Sequence, residues 1–154
     1  MNGEAGQGGG GDWQDPSSGA IAGLHELLGY SFTEWQEGRV VGELLLGPQH
    51  LNRAGILHGG VLCTMIDAAC GAAGLYSADP ARRRTSVTLS LNTIFTGQAR
   101  GGLIRVTAWQ RTGGRQIYTS AAEVRNEAGE LLAHGHGTFR WLHGSGRSEA
   151  VSQN

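Results

Sequence analysis

The 154-residue sequence contains no lysine, because all 12 of its basic residues are arginine. This excludes catalysis through a lysine Schiff base and phosphate binding by a P-loop lysine. Two cysteines are too few for a disulfide framework, and no apolar run approaches the ~18 residues that cross a bilayer. The net charge of −1 is unlike that of a nucleic-acid-binding protein, and the first residues do not resemble a secretory signal. We therefore expect a cytoplasmic protein with neither membrane nor nucleic-acid partners.

Glycine, in contrast, is abundant, and its distribution indicates where the folded domain lies. The chain has 27 glycines, several of them clustered in the first 19 residues among serine and aspartate. Such a composition cannot bury enough apolar surface to order itself. We predict a flexible tail over residues 1–19, one folded domain over residues 20–142, and a second polar tail over residues 143–154.

The first half of the predicted domain reads as a short helix, a hairpin and a long helix. Apolar residues at helical spacing predict a helix over residues 20–28. Strands over residues 30–36 and 39–46 flank a tight turn. Residues 58–77 then form a run that is apolar on nearly every side, which predicts a long helix buried all round.

The second half alternates between apolar and polar residues, which is the pattern of β-strands. The alternation covers residues 87–91, 104–108, 118–126 and 131–141, with glycine-containing turns between several of them. Short turns join antiparallel neighbours. One apolar helix and about five or six such strands predict an α+β fold in which the antiparallel sheet wraps around the helix.

Two glycines stand where a loop becomes the long helix. The amides of Gly59 and Gly60 would point outward at the positive end of the helix dipole, and glycine lets a ligand approach the backbone closely. This position suits a carbonyl oxygen that gains negative charge, with Gly60 as a substrate-binding neighbour. The alternative is that both glycines only permit tight packing of the helix start.

Asp67 is the one charged residue between Val61 and Ala78. A carboxylate within an apolar helix costs several kcal/mol unless it is paired or its protonation changes. Asp67 is therefore a candidate general base or nucleophile. The alternative is a structural aspartate that backbone or hydroxyl groups satisfy.

Helix geometry separates these two candidates. Gly59 and Asp67 are eight residues apart, or about 12 Å along the axis, so one chain cannot bring both to one reacting carbon. If both are catalytic, the site lies between subunits related by a two-fold axis. A homodimer is thus a requirement of the hypothesis.

The stretch Asn52-x-x-Gly55-x-Leu57-His58-Gly59-Gly60-x6-Asp67 resembles the signature of hotdog-fold acyl-CoA thioesterases of the PaaI-like and 4-hydroxybenzoyl-CoA thioesterase group. The resemblance implies a long central helix wrapped by a curved antiparallel sheet, and pairing of two chains, often with further pairing to a tetramer. It implies no retained cofactor, because coenzyme A is part of the substrate.

The resemblance also assigns roles to single residues. Asp67 matches the general base or nucleophile, and Gly59 matches the polarising amide. Asn52 matches the amide side chain that orients the water or the nucleophile from the other protomer. Thr88 best matches the strand hydroxyl near the attacking water, although Ser86 is close enough to leave the register open. His58 matches the motif histidine, which shapes the oxyanion loop.

The phosphates of coenzyme A need cations, for which Arg82, Arg83 and Arg84 are candidates; a solvated loop without a ligand is the alternative. We expect no metal, because His134 and His136 have no third ligand at a recognisable spacing.

The sequence thus predicts hydrolysis of a small aryl- or medium-chain acyl-CoA in a pocket lined by residues such as Leu62, Met65 and Ile66. The alternatives are a hotdog-fold enoyl-CoA hydratase or dehydratase, and a sensor that binds acyl-CoA without turnover.

Overall fold

The computed structural model describes residues 23–79 and 84–142. Both predicted flexible tails lie outside these residues. Within these ranges, two helices and six strands follow one another, with a 3-10 turn at Pro48–His50 before the second helix. In chain order they are α1 (Leu24–Leu28), β1 (Ser31–Gln36), β2 (Arg39–Leu45), α2 (Gly59–Ala73), β3 (Thr85–Phe95), β4 (Leu103–Gly113), β5 (Ile117–Asn126) and β6 (Leu131–Leu142).

The six strands form one antiparallel sheet in the order β1-β2-β4-β5-β6-β3. Glycines with positive φ close two of the hairpins: Gly38 (69°) between β1 and β2, and Gly129 (81°) between β5 and β6. Helix α2 packs against five strands of this sheet, β2 to β6. The predicted α+β fold, with an antiparallel sheet wrapped around one long helix, is confirmed.

The core lies between α2 and the concave face of the sheet. Met65, Ile66 and Cys70 of α2 are completely buried against alternate residues of the strands, because side chains of one strand face point the same way. The strand residues that fill this core include Val40, Leu44, Ile104, Val106, Ala108, Tyr118, Val124 and Phe139.

The apolar sequence predicts that α2 extends to about Ser77, but the helix ends at Ala73. Aromatic donors bind the carbonyls of Ala72 and of the capping residue Gly74, in addition to the local backbone hydrogen bonds of this end. Trp35 Nε1 donates to the Ala72 oxygen at 2.9 Å, and Trp141 Nε1 donates to the Gly74 oxygen at 3.2 Å. Tertiary hydrogen bonds therefore help to satisfy the polar groups at this helix end.

The expectation that α2 is buried all round is also wrong. Gly59, Cys63, Asp67 and Gly71 recur every four residues, and each is only half-buried. Residues at this spacing share one face of a helix. The sheet covers the rest of α2 and leaves this stripe partly open.

Gly135 lets β6 pass close to its neighbours. A Cβ atom at this position would lie 2.3 Å from the backbone oxygen of Asn92 and 3.2 Å from Cγ2 of Ile66. Only glycine fits between β3 and the central helix here.

Strand β3 forms one edge of the sheet and pairs only with β6. Four of its large apolar residues are exposed, and Leu89 (51%) and Phe95 (53%) are the most open. An edge strand with such side chains offers a template for pairing with another chain.

Candidate active site

The N-terminus of α2 presents a free backbone amide. His58 caps the helix, and its Nδ1 accepts a hydrogen bond of 2.9 Å from the Gly60 amide. The Gly59 amide has no acceptor within the described part of the chain. The Gly59 amide, which the sequence pattern indicates for charge stabilisation, is therefore available to a ligand. The Gly60 amide is already hydrogen-bonded to His58.

Gly59 lines an apolar cleft of about 330 Å³. The ring of Phe95 lies against Gly59, so that a Cβ atom on the glycine would be 3.2 Å from Phe95 Cζ. Leu62 lines the cleft as predicted, but Met65 and Ile66 are completely buried in the core and do not. The other lining residues are Ile56, Leu57, Thr96, Gly97 and Gln98.

Asn52 shapes the loop that leads to this helix start. Its Oδ1 accepts hydrogen bonds from the amides of Ala54 (2.8 Å) and Ile56 (3.2 Å). Gly55, with φ of 70°, completes the turn, and Arg100 donates to the Ala54 oxygen. Because Oδ1 is occupied, the exposed Asn52 amide would act on a substrate or water through its nitrogen.

Asp67 lies on the open stripe of α2, facing the edge strand. Its Oδ1 accepts a hydrogen bond of 2.8 Å from Thr88 Oγ1. Ser86 does not contact it in this way; its Oγ lies 2.9 Å from the Tyr118 hydroxyl. Of the two hydroxyls that the sequence left open, Thr88 is therefore the one beside the carboxylate.

The charge of Asp67 influences its buried neighbours. Burial raises the pKa of Cys70 to about 12, and the negative charge of Asp67 adds to this effect. Burial, with a further contribution from Asp67, also raises the pKa of Tyr30. Asp67 forms no ion pair with any residue in 23–79 or 84–142. An uncompensated carboxylate beside a hydroxyl can accept a proton or attack an electrophile.

The arginine run is described only in part. Arg82 and Arg83 lie outside the described residues, and the Arg84 guanidinium stacks over the Trp141 ring at 5.1 Å. Arg84 lines a cleft of about 280 Å³ with Ala73 and Gly74, at the C-terminal end of α2. Within one chain it is therefore at the opposite end of the helix from Gly59.

The structure thus brings Asp67 together with Thr88, and Gly59 together with His58 and Gly60. It keeps these two groups eight residues apart along α2. Within the described ranges, no group of three or more His, Cys, Asp or Glu side chains could hold a metal ion. No helix among these residues is long and apolar enough to span a bilayer.

Two residues near these groups were not singled out from the sequence. Phe95 ends β3 beyond the register shift between Thr88 and Ser90, so the alternation recognised in the sequence does not indicate that its ring reaches Gly59. Tyr118 begins a recognised strand, but no sequence pattern indicates that its hydroxyl reaches α2.

Comparison with known proteins identifies the family. The model of the Thioesterase superfamily matches residues 54–133, just over half of the chain, from the glycine-rich loop to the last strand. The chain belongs to this superfamily. A Pseudomonas aeruginosa protein provisionally described as an esterase is 35% identical over 120 residues, covering 75% of this chain and 86% of that protein.

Solved structures agree with this assignment. The zebrafish thioesterase superfamily member 2 is 31% identical, with a TM-score of 0.66 over 72% of this chain and 80% of its own. A Haemophilus influenzae thioesterase, at 20% identity and a TM-score of 0.72, covers 79% of this chain and 84% of its own, and shows the same fold. This chain therefore has the hotdog fold. Its membership of the superfamily supports hydrolysis of thioesters in general.

Proposed function

We propose that this superfamily member hydrolyses a small aryl- or medium-chain acyl-CoA thioester to the free acid and coenzyme A, as the PaaI-like and 4-hydroxybenzoyl-CoA thioesterase group does. The observation that carries the proposal is the Asp67 carboxylate, held at 2.8 Å by Thr88 on the open stripe of α2. A buried structural aspartate would instead be expected on a covered face.

In the proposed reaction, Asp67 takes a proton from water, and the resulting hydroxide attacks the thioester carbon. The electron pair of the C=O bond moves to oxygen, where the Gly59 amide would stabilise it. Such a donor contributes ~2.7–4 kcal/mol to a transition state of this kind. The electron pair on oxygen then re-forms the C=O bond as the carbon–sulfur bond breaks. Sulfur leaves with the electron pair of that bond and takes the proton that Asp67 removed from water. In the variant reaction, the Asp67 carboxylate attacks the thioester carbon and the thiolate leaves with the electron pair of the carbon–sulfur bond. Water then hydrolyses the resulting mixed anhydride, which releases the acid, restores the Asp67 carboxylate and supplies the proton taken up by the thiolate.

The apolar cleft beside Gly59 supports the proposed acyl group. A volume of about 330 Å³ and the ring of Phe95 suit the apolar part of an aryl or alkyl acyl group, because ligand sites of this size bind mainly by apolar contact. In this proposal, the phosphates of coenzyme A bind to the arginines that follow α2. These arginines come from the protomer that supplies Asp67, not from the one that supplies Gly59.

The shared site requires a homodimer. The open edge of β3, with exposed Leu89 and Ile94, supports pairing of the two sheets through this strand. Asp67 of one protomer would then approach the Gly59 loop of its partner, as the spacing along α2 demands. We further propose that two such dimers associate into a tetramer. The two free cysteines, one of them buried, suit the reducing cytoplasm as the location.

The direct test is release of free thiol from a panel of aromatic and aliphatic acyl-CoA thioesters. We expect Asp67→Ala to reduce turnover at least about a hundredfold, the usual contribution of a general base. Asp67→Asn should do the same, because it keeps the shape but removes the proton acceptor. Glu123→Gln, on the outer face of the sheet, is the matched control and should retain activity. Near-normal turnover by Asp67→Ala would reject the proposal.

The same panel separates the other candidate functions. Tight acyl-CoA binding without thiol release would identify a sensor, and loss of enoyl absorbance without thiol release would identify a hydratase. Rapid quenching followed by mass spectrometry distinguishes the two roles of Asp67. An acylated peptide containing Asp67 indicates nucleophilic attack, and its absence during turnover indicates a general base.

Subunit mixing tests the shared site. Asn52→Ala and Asp67→Ala lie on opposite halves of the proposed site, so a mixed dimer should contain one intact site and regain activity. Failure to regain activity in a dimer shown to be mixed would place both residues in a single-chain site. Leu89→Glu should dissociate the dimer and abolish turnover, whereas Leu45→Glu, at an even more exposed position at the end of β2, should do neither.

A further inference from the structure

Tyr118 joins the helix and the strand that carry the candidate catalytic pair. Its side chain is completely buried and stacked between Phe139 (ring centroids 5.2 Å apart) and Trp141 (4.7 Å). Its hydroxyl donates to the Gly71 oxygen of α2 at 2.7 Å and is hydrogen-bonded to Ser86 Oγ of β3 at 2.9 Å. A single hydroxyl thus bridges α2 and β3.

This bridge runs alongside the contact between Asp67 and Thr88. Gly71 follows Asp67 by four residues, so both lie on one face of α2. Ser86 precedes Thr88 by two residues, so their side chains share one face of β3. Helix and strand are therefore connected twice, one helical turn apart.

Strand β3 needs such a connection at this point. Within one protomer it is an edge strand whose described sheet neighbour is β6, and its register shifts between Thr88 and Ser90. A register shift bends a strand and interrupts its ladder of hydrogen bonds. The ladder with β6 is therefore interrupted next to Thr88, and contacts with α2 contribute to its position.

The aromatic stack around Tyr118 holds its hydroxyl in a fixed position between α2 and β3. The ring packs on Phe139 and Trp141, and Gly74, which caps α2, lies so close that an added Cβ atom would be 2.2 Å from the ring. Burial raises the pKa of Tyr118 to about 12, so the phenol keeps its proton and can donate throughout the neutral range.

We propose that Tyr118 is a positioning residue, whose hydroxyl fixes the spacing between α2 and β3 at which Thr88 reaches the Asp67 carboxylate. In this assignment, Ser86 is the hydrogen-bond partner of Tyr118 on β3 and takes no part in the chemical steps. The kinetic consequence rests on the proposed thioesterase function, but the geometric one does not.

The test compares Tyr118→Phe with Trp35→Phe. Each variant removes one donor to a carbonyl in the last turn of α2 and keeps an aromatic ring, but only Tyr118 contacts β3. We expect Tyr118→Phe to lower kcat about fivefold to tenfold, the equivalent of one net hydrogen bond, with KM unchanged. Trp35→Phe should leave kcat unchanged. Ser86→Ala, which breaks only the β3 half of the bridge, should lower kcat in the same direction.

Crystal structures of Tyr118→Phe and Ser86→Ala give the geometric readout. The distance from Thr88 Oγ1 to Asp67 Oδ1 should increase from 2.8 Å to beyond about 3.5 Å, outside hydrogen-bond reach. A 2.8 Å contact retained in both variants would overturn the proposal, as would an unchanged kcat when the wild type is active. If the wild type shows no thioesterase turnover, only the proposed function is rejected. The distance from Thr88 Oγ1 to Asp67 Oδ1 in the variants still tests the positioning role of Tyr118.

Discussion

Thr88 Oγ1 donates a hydrogen bond of 2.8 Å to Asp67 Oδ1, which joins the edge strand of the sheet to the central helix. A threonine hydroxyl that donates to a carboxylate holds it in one orientation, and leaves its other oxygen free to accept a proton. Because the helix is partly open here, that second oxygen can face a substrate in the proposed site between protomers.

Replacing the hydroxyl should therefore reduce turnover without unfolding the protein. Thr88→Val keeps the branched shape but removes the donor. We expect kcat to fall about tenfold to a hundredfold, because hydrogen bonds to charged groups contribute about 1.5–3 kcal/mol. Thr112→Val removes a hydroxyl that pairs with Thr119 at 2.7 Å, far from Asp67, and should leave kcat unchanged. Equal activity of the two variants in the thiol-release assay would contradict a role for Thr88.

Gly59→Ala should separate activity from stability. The new methyl group would lie 3.2 Å from Phe95 Cζ, and the exposed ring can turn aside at little cost. Since alanine favours a helix over glycine by up to about 1 kcal/mol, the free energy of unfolding should be unchanged or higher. The displaced ring and the methyl group would narrow the cleft beside the Gly59 amide, so thiol release should fall. A variant that is fully active in the same assay would remove this amide from the proposed site.

The sequence predicted the fold because its patterns are local. Period-two alternation located the strands, and glycine turns such as Gly38 located the hairpins, to within a few residues. The end of α2 was predicted wrongly, since the apolar run continues to Leu75 while distant tryptophans bind the last carbonyls. A helix boundary that tertiary hydrogen bonds help to determine cannot be found from the helix sequence.

The candidate site shows the same limit. Asp67 and Gly59 could be selected from charge and helix position alone, but Ser86 and Thr88 face the same side of β3, so alternation could not choose between them. The choice depends on how α2 docks against a strand with an irregular register. Tyr118 was missed for the same reason, because its partners are 47 and 32 residues away in the sequence.

Gly135→Ala should destabilise the fold. The added Cβ atom would lie 2.3 Å from the Asn92 backbone oxygen, so β6 and β3 would have to separate. Overpacking of this kind costs about 1–3 kcal/mol, measured as a lower urea midpoint of unfolding. Gly101→Ala introduces the same methyl group where no atom lies within 4 Å, and should have little effect. Equal midpoints for both variants would show that the strands can adapt at Gly135.

The absence of lysine makes the alkaline stability of this protein simple to interpret. Burial raises the pKa of Tyr118 from 10.0 to about 12, so an unfolded chain loses this proton first as the pH rises. The contribution of Tyr118 to the free energy of unfolding is therefore fully present below about pH 10. It is lost between about pH 10 and 12, and the loss amounts to about 2–3 kcal/mol. Cys70, raised from 9.0 to about 12 for the same reason, contributes a loss that begins near pH 9.

Urea unfolding measured at intervals from pH 8 to 11 checks this prediction. Tyr118→Phe should be less stable than the wild type at pH 8, because it loses a buried hydrogen bond, but its free energy of unfolding should fall less steeply above pH 10. Trp35→Phe removes a donor to the same helix turn without removing a titrating group. It should therefore run parallel to the wild type at every pH. If Tyr118→Phe also ran parallel, the phenol would not be the group whose proton the folded state retains.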